Sequence, residues 1–282
     1  MQEFKDKTAV VTGAASGIGR AMCEVFAEAG MKIVMADVEE PLLEEARSAL
    51  ADQGFDVCAV PTDVSEPGQV DALAARAKEQ YGGVHVLCNN AGVFTGGLAW
   101  EVPVKEYDWL LRVNVWGVIN GIRAFVPMML EQDCEAHIVN TASMAAVTTM
   151  PYVGAYHMTK HAVLALSESL YHEVTLSGAK LKVSVLCPEE VSTRIGSAER
   201  NRPEELTEHG RYEESPERAA VFEAMKALEE GGVAPRVLAQ RTLAGIREER
   251  FYILAEDKWR EAANTRLEDV RQGRNPTFAP PV

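Results

Sequence analysis

Thr12-Gly13-Ala14-Ala15-Ser16-Gly17-Ile18-Gly19 is a glycine-rich run between a short apolar stretch, Thr8–Thr12, and a segment with apolar residues at helical spacing, Arg20–Ala29. Glycines in such a turn allow tight backbone turning and close approach of a pyrophosphate. The helix N-terminus beyond it offers free N–H groups and a positive dipole end. Asp37 follows the next apolar stretch, Lys32–Ala36, 18 positions after Gly19. A carboxylate there can accept both hydroxyls of an adenosine ribose. It also repels a 2′-phosphate, and neither Ala15 nor Val38 supplies a base to bind one. The run therefore predicts a dinucleotide site built from Gly13, Ser16, Gly17, Ile18, Gly19, Asp37 and Val38, with NAD preferred over NADP. Taken alone, Asp37 also fits a plain turn at a strand end.

The elements that must hold this turn alternate along the chain. Strand-like runs at Thr8–Thr12, Lys32–Ala36, Val57–Pro61, Val84–Cys88, His137–Thr141 and Leu181–Cys187 are separated by helix-like segments. Those segments are Arg20–Ala29, Pro41–Gln53, Gln69–Tyr81, a long one over Val104–Glu131 with Pro127 as a bending point, and Ala155–Ser177. Such alternation implies an α/β fold, a doubly wound parallel sheet with helices on both faces. Phe251–Leu254 predicts a last strand and Lys258–Gln272 a charged helix. Residues 1–282 read as one domain, with an acid-rich insertion at about 194–235. That insertion is either a solvated helical segment or a lid over a pocket. The Pro-rich tail, residues 273–282, is either disordered or laid across a neighbouring subunit.

Composition narrows the function classes. An apolar fraction of 47% with 25% charged residues is that of an ordinary globular chain, which excludes long disorder. The net charge of −14 disfavours nucleic acid and anionic membrane surfaces as partners. No uninterrupted apolar run reaches the roughly 18 residues of a membrane span, and the N-terminus lacks the pattern of a signal peptide. Five scattered cysteines without a C-x-x-C pair read as reduced thiols in a cytoplasmic protein. His157 and His161 have helical i, i+4 spacing but no evident third ligand, so no metal is expected.

The spacing T-G-x-x-x-G-I-G over Thr12–Gly19 resembles the short-chain dehydrogenase/reductase family, in its standard cytoplasmic subgroup. Other pieces follow in the family's order. Asp63-Val64 closes the third strand, and Asn89-Asn90-Ala91-Gly92 follows the fourth. Asn114 lies in the long helix, and Ser143 follows the fifth strand. Tyr156 and Lys160 give Y-x-x-x-K thirteen residues after Ser143. The match runs over about residues 5–195. It implies a Rossmann-type sheet of about seven strands in the order 3-2-1-4-5-6-7. It also implies cofactor contacts from Asp63, Val64, Asn90, Ala91, Gly92, Tyr156, Lys160, Pro188, Val191 and Thr193.

The resemblance also assigns catalytic roles. Tyr156 and Lys160 are four apart and share a helix face. A phenol with an ordinary pKa of about 10 is a poor base at neutral pH, and a nearby ammonium favours the phenolate. Tyr156 is then the acid/base and Ser143 orients the substrate oxygen. Lys160 also binds nicotinamide ribose, and Asn114 holds a water that links Lys160 to solvent. The implied reaction is hydride transfer between a secondary alcohol or its ketone and the cofactor. Two other readings are a non-catalytic NAD sensor or scaffold, and an epimerase or dehydratase that uses NAD transiently. A sensor needs none of the four catalytic side chains, and the glycine spacing differs from that of the epimerases.

Where the family has Pro-Gly after the sixth strand, this chain reads Pro188-Glu189. A positive φ is costly for Glu. Either the backbone adjusts or Glu189 turns its carboxylate toward the pocket. By resemblance the substrate pocket draws on Phe94, Met144, Val147, Met150, Tyr152 and Glu189, with Trp100 near. That lining is large and apolar, and Arg194 is the base in these stretches. It fits a hydrophobic secondary alcohol or ketone, whether aryl, alicyclic or steroid-like. The family further implies a homotetramer, a dimer of dimers paired through the helix carrying Tyr156 and the long helix.

Overall fold

The computed structural model describes residues 1–206, 215–255 and 257–280. The chain runs β1 (Thr8–Thr12), α1 (Gly17–Glu28), β2 (Lys32–Asp37), α2 (Glu40–Ala51), β3 (Val57–Pro61), α3 (Pro67–Tyr81) and β4 (Val86–Asn89). It continues through α4 (Val104–Leu110), a π-helical turn (Leu111–Trp116), α5 (Gly117–Glu131), β5 (Ala136–Thr141), α6 (Gly154–Ser177) and β6 (Leu181–Cys187). Last come α7 (Pro216–Gly231), α8 (Pro235–Arg247), β7 (Tyr252–Leu254) and α9 (Asp257–Gln272).

Seven strands form one parallel sheet in the order β3-β2-β1-β4-β5-β6-β7. The sheet is the Rossmann-type arrangement that the motif order implies. Strands β1 and β5 are buried along their whole length, as a parallel sheet covered on both faces requires. One face packs on Met22, Phe26, Leu43 and Leu238 from α1, α2 and α8. The other packs on Leu73, Phe125, Met129 and Leu170 from α3, α5 and α6. The strand order changes direction between β1 and β4, so the loops leaving both strands open one crevice at their carboxyl ends.

The boundaries depart from the pattern in places with a physical cause. β4 starts at Val86, because the backbone of Val84 is bonded to the Gln132 side chain instead (2.8 and 2.7 Å). The long helix is interrupted by the π turn around Asn114 rather than at Pro127, which sits inside α5. Such insertions in a helix often mark functional positions. The stretch Val104–Glu131 is long and apolar enough to cross a membrane by length and composition. Here Val118, Phe125 and Met129 turn inward from it and are buried in the fold.

The insertion is not merely a solvated helix. It opens with 3₁₀ turns at Arg194–Asn201 and Glu204–Leu206 and continues into α7. Ala198 and Leu206 are buried with Phe94, Trp109 and Tyr156, and Phe222 and Met225 pack on that cluster. Arg202 ties the insertion to α4 through a buried ion pair with Glu106 at 2.9 Å, and its guanidinium lies 4.7 Å from the Trp109 ring centre. The part of the expected lid at 207–214 lies outside the described residues. The tail folds back on α9, with Arg274 paired to Asp269 at 2.8 Å and the Thr277 N–H donating to the same side chain at 2.7 Å. Residues 281–282 lie outside the described residues.

Candidate active site

The glycine turn works because backbone replaces side chain. Gly13 has φ +66°, and a Cβ there would stand 2.9 Å from Ala91 Cα. A Cβ on Gly19 would collide with the Gly13 carbonyl. The turn is locked to the end of β4. Thr12 Oγ1 accepts from the Asn90 and Ala91 N–H groups at 2.9 and 3.1 Å, and Asn90 Nδ2 donates to the Thr12 carbonyl at 3.0 Å. Asp37 is buried at the end of β2. Its oxygens accept from the Ala15 N–H at 2.9 Å and the Glu39 N–H at 3.0 Å, which orients the carboxylate. Each oxygen keeps a lone pair for a further donor.

A continuous cavity of about 550 Å³ runs from this turn to the other end of the site. Gly13, Ser16, Gly17, Ile18, Asp37, Val38, Asp63 and Val64 line it, as do Asn90, Ala91, Gly92, Pro188, Val191 and Thr193. Gly19 is not in the lining; it closes the turn from behind. The cradle fits a dinucleotide, because added Cβ atoms at Gly13 and Gly17 would fill the space against Ala91 and Thr193.

At the far end Ser143, Tyr156 and Lys160 line the same cavity. Ser143 caps a 3₁₀ turn by accepting from the Ala145 N–H at 3.0 Å. Burial pushes the Tyr156 phenol up to about 12, against a hydrogen bond with Ser143 that lowers it. Burial pushes Lys160 down to about 8. Its Nζ donates to the Thr141 carbonyl at 3.1 Å and lies 5.5 Å from the Tyr156 ring centre. The ammonium, expected together with the nicotinamide charge to favour the phenolate, does not by itself offset burial here. The ammonium is aimed at a carbonyl over the ring rather than at the phenol oxygen, and desolvation dominates.

Asn114 sits behind Gly92 rather than in the cavity lining. Its side chain accepts from the Val93 N–H at 2.8 Å and donates to the Val93 carbonyl at 3.0 Å and to Thr159 Oγ1 at 3.1 Å. It thus couples the loop after β4 to the helix bearing Tyr156. A Cβ on Gly92 would stand 3.3 Å from Asn114 Oδ1 and 3.5 Å from Lys160 Nζ, so glycine is what lets these groups approach.

The substrate-side expectations divide. Phe94, Met144, Met150 and Glu189 line the cavity. Val147 does not; it packs in the cluster of Val118, Cys187 and Trp259. Tyr152 turns outward at a φ of +68° with its side chain exposed, and Trp100 is exposed. These residues lie in irregular turns, where no helical or strand period tells from the sequence which way a side chain faces.

Glu189 settles into the adjusted backbone. It is not among the residues of positive φ, and its carboxylate accepts from Arg241 of α8 at 2.6 Å. Arg112 and Arg200 join Arg194 in the lining, which the sequence had not brought together. Trp109, Leu206, Val221 and Met225 were also missed, and they extend the apolar end. His157 is a shaping residue. Its Nδ1 lies 2.8 Å from the Ala145 carbonyl, and its Nε2 accepts from the Met150 N–H at 3.1 Å. Among the described residues no cluster suited to a metal occurs.

Comparison with known proteins agrees with the fold. The short chain dehydrogenase family model matches residues 7–204. A 1-deoxy-11-beta-hydroxypentalenate dehydrogenase of Streptomyces exfoliatus is 44% identical over 192 residues, 67% of this chain and 69% of that protein. A C alpha-dehydrogenase of a Sphingobium species is 30% identical over 271 residues, 96% of this chain and 87% of that one. A short-chain dehydrogenase/reductase from Burkholderia phymatum, solved in complex with NAD, superposes with a TM-score of 0.97 at 43% identity, covering 100% of both chains. The chain belongs to the short-chain dehydrogenase/reductase family of oxidoreductases.

Proposed function

We propose that the protein is an NAD-dependent dehydrogenase that interconverts a hydrophobic secondary alcohol, aryl, alicyclic or steroid-like, and its ketone. The observation that carries this reading is the continuity of one cavity. It joins the Asp37 corner to Ser143, Tyr156 and Lys160 and ends in an apolar lining of Phe94, Met144, Met150 and Leu206. The names of the Streptomyces and Sphingobium relatives support the reaction class, and the NAD complex of the Burkholderia chain supports the cofactor.

When bound, NAD supplies the hydride acceptor and a positive charge beside Tyr156. The chain's own residues do the rest. Asp37 takes the adenosine ribose hydroxyls, and Val191 and Thr193 hold the carboxamide and phosphate. Ser143 Oγ donates to the substrate oxygen and fixes it near the phenol. Tyr156 takes the hydroxyl proton during oxidation and returns it during reduction. Lys160 holds the nicotinamide ribose and favours the phenolate. Asn114 holds the loop and helix that frame them, and carries the water that relays the proton.

Reduced-nicotinamide absorbance with NAD, NADP and a panel of apolar secondary alcohols tests this. Turnover with NAD is expected, with NADP bound at least about tenfold more weakly because Asp37 repels its phosphate. Tighter binding of NADP would refute the cofactor choice. Activity on a phosphorylated sugar, with none on apolar alcohols, would refute the substrate class.

The reading extends to assembly and compartment. We propose a homotetramer paired through α6 and the Val104–Glu131 helix, on which Met158, Tyr171, Trp116 and Leu130 are exposed. Light scattering should give four chain masses, and a monomer mass would remove the proposal. Five free cysteines suit a reducing compartment, which supports the cytoplasm.

A further inference from the structure

Glu39 stands two residues beyond Asp37, next to the start of α2, and lines the same cavity. Its N–H donates to Asp37, so the two acids share one turn. The 3₁₀ turn at Arg194–Asn201 brings a cation to it from 161 positions away. Arg200 Nη2 donates to Glu39 Oε1 at 2.6 Å, and its Nε lies 3.1 and 3.2 Å from the two carboxylate oxygens. Asn201 Nδ2 donates to the same carboxylate at 2.9 Å. The remaining arm of Arg200, Nη1, donates to the Arg194 and Ser197 carbonyls at 3.0 and 2.8 Å. Burial alone would raise the Glu39 carboxyl; the Arg200 and Asn201 hydrogen bonds outweigh it and hold it below its ordinary range. Both Arg200 and Asn201 line the cavity.

We propose that Glu39 is a second determinant of cofactor choice at the adenosine end, with Arg200 as its held counter-ion. The inference rests on the reading of this cavity as a dinucleotide site. A 2′-phosphate entering the corner meets two carboxylates, Asp37 and Glu39. Arg200 is a cation with the fork geometry to receive it. Its donors, however, already point at Glu39 and at two backbone carbonyls. A phosphate must therefore break a partly buried bidentate pair or lie beside two like charges, whereas a ribose diol needs neither. Removing only the charge of Glu39 frees two donors of Arg200 without touching Asp37.

The test is the dissociation constant of NAD and of NADP for the full chain and for E39Q, R200Q and the double variant, by titration calorimetry. E39Q is expected to improve NADP relative to NAD by about tenfold, the scale of one unit charge at close range across a partly solvated corner. R200Q gives no such gain, and E39Q/R200Q keeps only the part that comes from removing the Glu39 charge, because the rest depends on the freed guanidinium. A ratio unmoved in E39Q overturns the inference while leaving the cofactor reading intact. Equal gains in E39Q and R200Q also overturn it, since loosening of the turn would then be the cause. A wild-type chain that binds neither dinucleotide overturns both readings together.

Discussion

Tyr156→Phe is expected to lower kcat for alcohol oxidation by about 10³-fold, within the range of removing a positioned general acid/base. The phenyl ring remains, so its edge contact with Phe94, at 5.0 Å between ring centres, survives. Ser143 keeps its hydrogen bond from the Ala145 N–H. Folding and dinucleotide affinity should therefore change little, which separates this variant from one that damages the site. The pH dependence carries a second sign. Burial holds the phenol high, so the phenolate fraction grows as pH rises. Wild-type oxidation should climb over about pH 7 to 10, and the variant should lack that slope. A variant that keeps a tenth or more of the activity would show that another group moves the proton.

How far the site could be read in the sequence depended on the range of the interaction. Gly13, Asp37, Ser143, Tyr156 and Lys160 act through their own chemistry at short spacing, and the structure gathers them, with Gly13 and Asp37 at one end of a cavity and the other three at the opposite end. The sheet followed from β-branched runs alternating with helical ones, and its order is the implied one. What stayed hidden was long-range or a matter of which way a short turn faces. Glu39 and Arg200 pair across 161 positions, and neither has a motif of its own. Val147 and Met150 are equally apolar and three apart, yet one joins a core cluster and the other the cavity. The π turn around Asn114 has no spacing signature, and the bonds its side chain makes to the Val93 backbone are equally long-range. Glu189 combines both alternatives: its φ is not positive, and it lines the cavity with its charge met by Arg241.

Lys160→Met is expected to abolish turnover and, without dinucleotide, to make the protein more stable. Lys160 is 3% exposed, and the Thr141 carbonyl accepts from its Nζ at 3.1 Å. The fall of its pKa from 10.5 to about 8, caused by burial, means that folding disfavours the charged form. The penalty is about 3 kcal/mol at neutral pH. It is fully present below pH 8, where both folded and unfolded chains carry the proton. It shrinks as pH rises through 8 to 10.5, where the folded chain sheds the proton first, and it vanishes above. Methionine fills similar volume without a charge. The lost hydrogen bond to Thr141 returns about 1 kcal/mol. A net gain of about 2 kcal/mol remains at pH 7, equivalent to about 4 °C in Tm for a chain of this size. Thermal melts at pH 7 and pH 10.5 should show the advantage and its disappearance, and a lower Tm in the variant at pH 7 would refute the buried-charge argument. On the proposed function, the same ammonium that costs stability is the group that would hold ribose and favour the phenolate. A site that keeps so expensive a charge where leucine or methionine would fit is a site maintained for chemistry rather than for folding.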